Sequence, residues 1–177
     1  MNIASNNLKD KVVNKAISSL RKNKRIEQVS IPAIAAELDV SIEEISSFYT
    51  TTEDIFLEAQ KKDWESLHRF WDRHIKKSKT PGDFKNSFEI FFEKFVDSLS
   101  KDADLRLELS CYLPKCIKYR DKNRKRVKQK LKKLINKGWP GKDEKVLERQ
   151  SELVTILFYG FIAVSYTHLR AHETDSY

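Results

Sequence analysis

Apolar residues recur along this chain at intervals of three and four, and that spacing predicts helices from end to end. From Leu8 to Asn23, Val12, Val13, Ala16, Ile17 and Leu20 fall on one helical face, with Lys9, Lys11, Lys15, Arg21 and Lys22 elsewhere. A short second helix follows in "SIPAIAAEL". Ser30 is its expected cap, Pro32 suits its first turn, and Ile31, Ile34, Ala35 and Leu38 form its inner face. Asp39-Val40 then predicts a tight turn. Ser41 opens a third helix through a capping box, Ser41-Ile42-Glu43-Glu44, with Ile42, Ile45, Phe48 and Tyr49 as its apolar positions. A long fourth helix is expected from Thr51 or Thr52 to about Lys77. Glu53 and Asp54 complement its N-terminal dipole, and Trp64, Leu67, Trp71 and Ile75 share a stripe.

"KTPGD" at 79–83 breaks the pattern. A fifth helix, Phe84 to about Ser100, carries Phe84, Phe88, Phe91, Phe92, Phe95 and Leu99 on one broad face. A sixth is expected from about Asp102 to Leu113, ending before Pro114. A seventh, about Lys115 to Lys137, has Val127, Leu131, Leu134 and Ile135 as its stripe. "GWPG" at 138–141 is a further break, and an eighth helix starts near Asp143. No strand, repeat or low-complexity segment interrupts this series. The expected fold class is therefore all-α.

Composition supports that expectation, with only four Gly and four Pro in 177 residues. The formal net charge of +8 suits a polyanionic partner such as nucleic acid. Its distribution qualifies this. Within residues 1–50, seven Lys or Arg face six acids, so nonspecific affinity from that region should be modest. The strongest basic run, "KCIKYRDKNRKRVKQKLKKLINK", has twelve Lys or Arg against one Asp and is read as a solvated helix face, the alternative being a face towards DNA, an acidic ligand or a membrane surface. Cys111 and Cys116 flank Pro114 without a CxxC spacing, which fits reduced thiols in a cytoplasmic chain. The start has no apolar signal segment, and the longest apolar run, Leu153 to Val164, is too short to cross a bilayer. No membrane association is expected. His68 and His74 stand six apart on different helix faces, so no metal site is expected. No nucleophile motif, Gly-rich phosphate loop or paired acid-base constellation appears, which argues against an enzyme and against a cofactor.

Residues 164–177, "VSYTHLRAHETDSY", break sharply from the apolar helix before them. The string SYTHLRAHET looks like an in-frame translation of the transposase adapter TCT TAT ACA CAT CTC CGA GCC CAC GAG AC. The expectation is that this stretch is adapter-derived and the natural chain continues beyond Ala163. Without it the net charge is +9.

Residues 11–59 resemble the N-terminal domain of tetracycline-repressor-like (TetR) regulators. Val13, Ala16, Ile17 and Leu20 stand where that family's first helix is apolar. Ser30-Ile31 before Ile34-Ala35 is similar to its "T-S/T-V-x-x-I-A", and Val40-Ser41 to its "G-V-S". Ile45 and Tyr49 match the leucine and phenylalanine of "L-Y-x-x-F", and Thr52-Glu53 the "K-E" opening the long helix. "LFYGF" at 157–161 is similar to a late "L-x-x-G-L". The resemblance implies a homodimeric regulator of double-stranded DNA, usually a repressor. A helix-turn-helix over residues 1–50 would bind DNA. A helical domain over 51–163 would dimerise and bind an unknown small-molecule effector. Four departures stand out. The family's turn glycine is Asp39, which tolerates a left-handed conformation. The small or basic residues opening the third helix are Ile42, Glu43 and Glu44. The phosphate-contacting tyrosine is Ser46, and the basic residue opening helix four is Thr52.

Glu44 is read as the closing member of the capping box. Glu43 either accepts a hydrogen bond from a cytosine amino group or repels phosphate. Ser46 and Ser47 are the expected readers of base edges or backbone, and Tyr49 packs while offering a hydroxyl to phosphate. Ser30, Ser41, Thr52 and Lys11 complete the candidate DNA-binding set. Trp64, Phe88, Phe91, Phe92, Cys111, Tyr112 and Phe158 are the candidate lining of an effector pocket. The alternative function is a helical ligand-binding or protein-interaction module that has kept the fold and lost specific DNA binding.

Overall fold

A computed structural model describes residues 3–23, 25–100, 109, 112–157 and 160. All regular structure among them is helical, without strands. In chain order the helices are α1 (Ile3–Asn23), a 3-10 turn (Ile26–Gln28), α2 (Ile31–Leu38), α3 (Ile42–Ser46), α4 (Thr52–Lys77), α5 (Pro81–Ser100), α6 (Pro114–Gly138) and α7 (144–157). The expected sixth helix and the 164–177 tail lie largely or wholly outside the described residues. No helix among the described residues is long and apolar enough to cross a membrane.

The chain divides into two compact units, residues 1–65 with 105–120 and residues 66–104 with 121–177. The division falls inside α4 and α6, so the first unit extends past residue 50. The reason is packing: Ile55 and Phe56 of α4 and Cys116 of α6 are buried in the same cluster as Val12, Ala16, Ile34 and Ile45. In the second unit, Phe84, Leu134, Ile135 and Leu147 form the cluster, with Ile75, Phe88 and Val154 packed on it. The periodic stripe of α6 is thus its core face, with Val127, Leu131, Leu134 and Ile135 all at most 5% exposed.

α1 begins five residues before the expected Leu8, at Ile3. α5 begins at Pro81 rather than Phe84. Thr80 and Asp83 close a reciprocal cap there: Asp83 N–H donates to Thr80 Oγ1 at 3.2 Å, and Thr80 N–H to the Asp83 carboxylate at 2.9 Å. Proline at the first helical position forgoes an N–H that would have no helical partner in any case. The same residues that break α4 therefore start α5.

Candidate nucleic-acid interface

α2 ends on Asp39, the only non-glycine with positive φ among the described residues (φ 54°, ψ 49°). Its N–H turns back to the Ala36 carbonyl at 3.4 Å, and the Val40 N–H reaches the Ala35 carbonyl at 3.1 Å. The last carbonyls of α2 are satisfied in this way and the chain reverses in two residues. Ser41 then caps α3. Its hydroxyl accepts from Glu44 N–H at 3.1 Å, and Glu44 Oε2 accepts from Ser41 N–H at 3.0 Å. Ile45, fully buried, fastens the helix to α1 and α2. Burying such a side chain stabilises by about 1.5–3 kcal/mol. Capping at one end and a single anchor at the middle fix which face of this short helix points out.

That outward face consists of Ser41, Ile42, Glu43, Ser46 and Ser47. Ser41 is committed to the cap, and Ser47 donates its hydroxyl to the Glu44 carbonyl at 2.7 Å. Glu43 and Ser46 are exposed, and their side chains make no hydrogen bond or ion pair among the described residues. Ile42, expected to pack, is instead 45% exposed. It occupies the first helical position after the cap. The i, i+3 spacing from Ile45 predicts a shared face, and nothing in the sequence signals this exposure.

The remaining expected contacts divide. Lys11 is exposed on α1. Ser30 is partly buried and its hydroxyl accepts the Ala33 N–H at 3.3 Å as the cap of α2. Thr52 is partly buried, and the residue that caps α4 is Thr51, whose Oγ1 accepts from Asp54 N–H at 3.2 Å. Tyr49 is core: 5% exposed, its hydroxyl buried without a partner, its pKa pushed up to about 12 by burial and the carboxylates of Glu58 and Asp10. The sequence had offered that hydroxyl to phosphate; in this packing it faces protein. Positive charge nearby is partly spent. Lys15 pairs with Glu37, Lys62 with Asp10, and Lys115 with Asp54 at 2.6 Å. Lys9 lies 4.9 Å over the Phe48 ring.

In the second unit a groove of about 940 Å³ is walled by Phe84, Phe88, Ile135, Trp139, Leu153 and Val154. Of the expected pocket residues, Phe88 lines it. Trp64, Phe92 and Tyr112 do not, and Phe92 and Tyr112 are 39% and 71% exposed. Cys111 and Phe158, and the side chain of Phe91, lie outside the described residues. Cys116 is buried, and that burial, with Glu53 adding to it, raises its thiol pKa to about 12, so it is inert at neutral pH. His68 is also buried, bonded to Asn123 at 2.9 Å, and its pKa falls to about 4 through desolvation. Among the described residues no three His, Cys, Asp or Glu gather to hold a metal ion.

The basic run of α6 is more than a solvated face. Lys128 bridges Glu148 and Glu152, Lys132 bridges Glu144 and Glu148, and Lys130 holds Asp72 at 2.6 Å. Lys137 donates to the Ile75 and Ser78 carbonyls at 2.7 and 3.3 Å, serving the C-terminal turn of α4. The chain matches no protein-family model and no curated protein.

Proposed function

We propose that this chain is a TetR-like, ligand-responsive transcriptional regulator that binds double-stranded DNA through α2 and α3 as a cytoplasmic homodimer. The observation that carries the reading is α3. It is capped, anchored by Ile45, and presents Ile42, Glu43 and Ser46 uncommitted to solvent, as a groove-reading helix must. In this role Ile42 packs on a thymine methyl, Ser46 bonds a base edge or phosphate, and Glu43 accepts from a cytosine amino group. Ser47, Ser41 and Lys11 flank them. The effector is an apolar small molecule held in the helical second unit. Electrophoretic mobility shift of the chain's own promoter DNA at moderate salt tests the reading. A sequence-specific shift supports it; an intact dimer without one contradicts it.

The exposed, unpaired carboxylate of Glu43 favours the second reading, a helical binding module that no longer recognises an operator. Glu43→Ala separates the two. Relaxed preference at one base pair marks a reader, and uniformly tighter binding to all sequences marks a repelling charge.

A further inference from the structure

Apart from Arg124, which is also engaged, the cations of α6 in the second unit fall into two sets. Lys128, Lys130, Lys132 and Lys137 are each engaged by carboxylates or carbonyls. Lys122, Lys125, Arg126 and Lys133 are exposed and make no ion pair or hydrogen bond among the described residues. Their spacing puts all four on one side of the helix, opposite Val127, Leu131 and Leu134. No acid of α6 itself shares that side. Asp121 and Glu152 line a small groove with Lys125, and Glu152 is held by Lys128 at 3.1 Å. Asp72 of α4 is held at 2.6 Å by Lys130, which is close enough to Arg126 and Lys133 to feel their charge.

We infer that this face of α6 is a second nucleic-acid surface, one that holds the phosphate backbone of duplex DNA without reading sequence. The inference is independent of the α3 reading. The four charges spread over about 16 Å of rigid helix, at 1.5 Å per residue. They converge on no common point, which suits a distributed polyanion better than a single small anion. A bilayer surface fits poorly, because an interfacial helix needs an exposed apolar face and that of α6 is at most 5% exposed. A duplex presents a charge about every 1.7 Å, so each of the four side chains finds a phosphate within reach of its flexible stem.

The test uses the full chain and a fluorescent duplex of arbitrary sequence, titrated between about 50 and 200 mM salt. Replacing the set together (K122Q, K125Q, R126Q, K133Q) keeps good helix formers at every position. An unchanged far-ultraviolet circular dichroism spectrum verifies the fold. The expected result is a salt slope shallower by about 3.6 and clearly weaker binding. An unchanged slope and affinity overturn the inference. So does loss of binding to phosphatidylserine vesicles or polyglutamate with duplex binding unaffected. Ile42→Ala and Ser46→Ala, tested for operator preference, report on α3 separately, so either reading can fail alone.

Discussion

Two adjacent glutamates open α3, and the structure gives them different work. The Glu44 carboxylate takes the Ser41 N–H at 3.0 Å, while its own N–H goes to Ser41 Oγ at 3.1 Å. Glu43 makes neither bond. Ser41→Ala removes one cap and is expected to destabilise the helix start by about 1 kcal/mol. Glu44→Ala removes the reciprocal bond and a favourable charge at the helix N-terminus, about 0.5–1 kcal/mol. The double variant should lose less than the sum, because each single change already disables the box. Glu43→Ala should stay within about 0.5 kcal/mol. Hydrogen exchange of the α3 amides, read by mass spectrometry, measures this locally and avoids treating a two-unit chain as one transition. The expectation is about fivefold faster exchange for Ser41→Ala and little change for Glu43→Ala. Equal acceleration from both glutamate variants, or none from Glu44→Ala, would refute the division of roles.

Tyr49→Phe removes a buried hydroxyl that has no partner, so stability should be unchanged or raised by up to about 1 kcal/mol. Urea denaturation checks it, and a loss of DNA affinity would mean the hydroxyl does reach phosphate. His68 titrates near 4 in the folded chain against 6.5 unfolded, so the unfolded state binds the extra proton between those values. Stability present above pH 6.5 is therefore lost as pH falls towards 4, by roughly 3 kcal/mol at most, and His68→Gln should flatten that part of the profile in thermal melts. Gly138→Ala would place a methyl 2.6 Å from the Phe84 ring, which packs edge-on to Trp139 at 5.0 Å. A loss of about 1–3 kcal/mol is expected, with altered Trp fluorescence; a neutral variant would mean the ring moves freely.

Caps and apolar stripes were legible because both are local. Ser30, Asp39, Ser41 and Glu44 each act within four residues, and the stripes of α1, α4 and α6 repeat the helical period. What the sequence left open depends on neighbours in space. The exposure of Ile42 follows from where Ile45 docks. The pairing of Lys128 and Lys132 of α6 depends on α7, although Glu144, Glu148 and Glu152 repeat at the interval of those lysines and could have been matched to them. Phe and Trp spacing marks burial but not which gaps between helices stay unfilled, so among the described residues of the expected pocket only Phe88 met the groove.

The central claim is that α3 reads DNA. Fluorescence anisotropy of the full chain against its own promoter duplex and a scrambled duplex of equal length, at about 0.15 M salt, tests it most directly. The account predicts binding to the promoter at least about a thousandfold tighter than to the scramble, reduced by Ser46→Ala and Ile42→Ala. Equal affinity for the two duplexes, with the helical fold intact by circular dichroism, would contradict it.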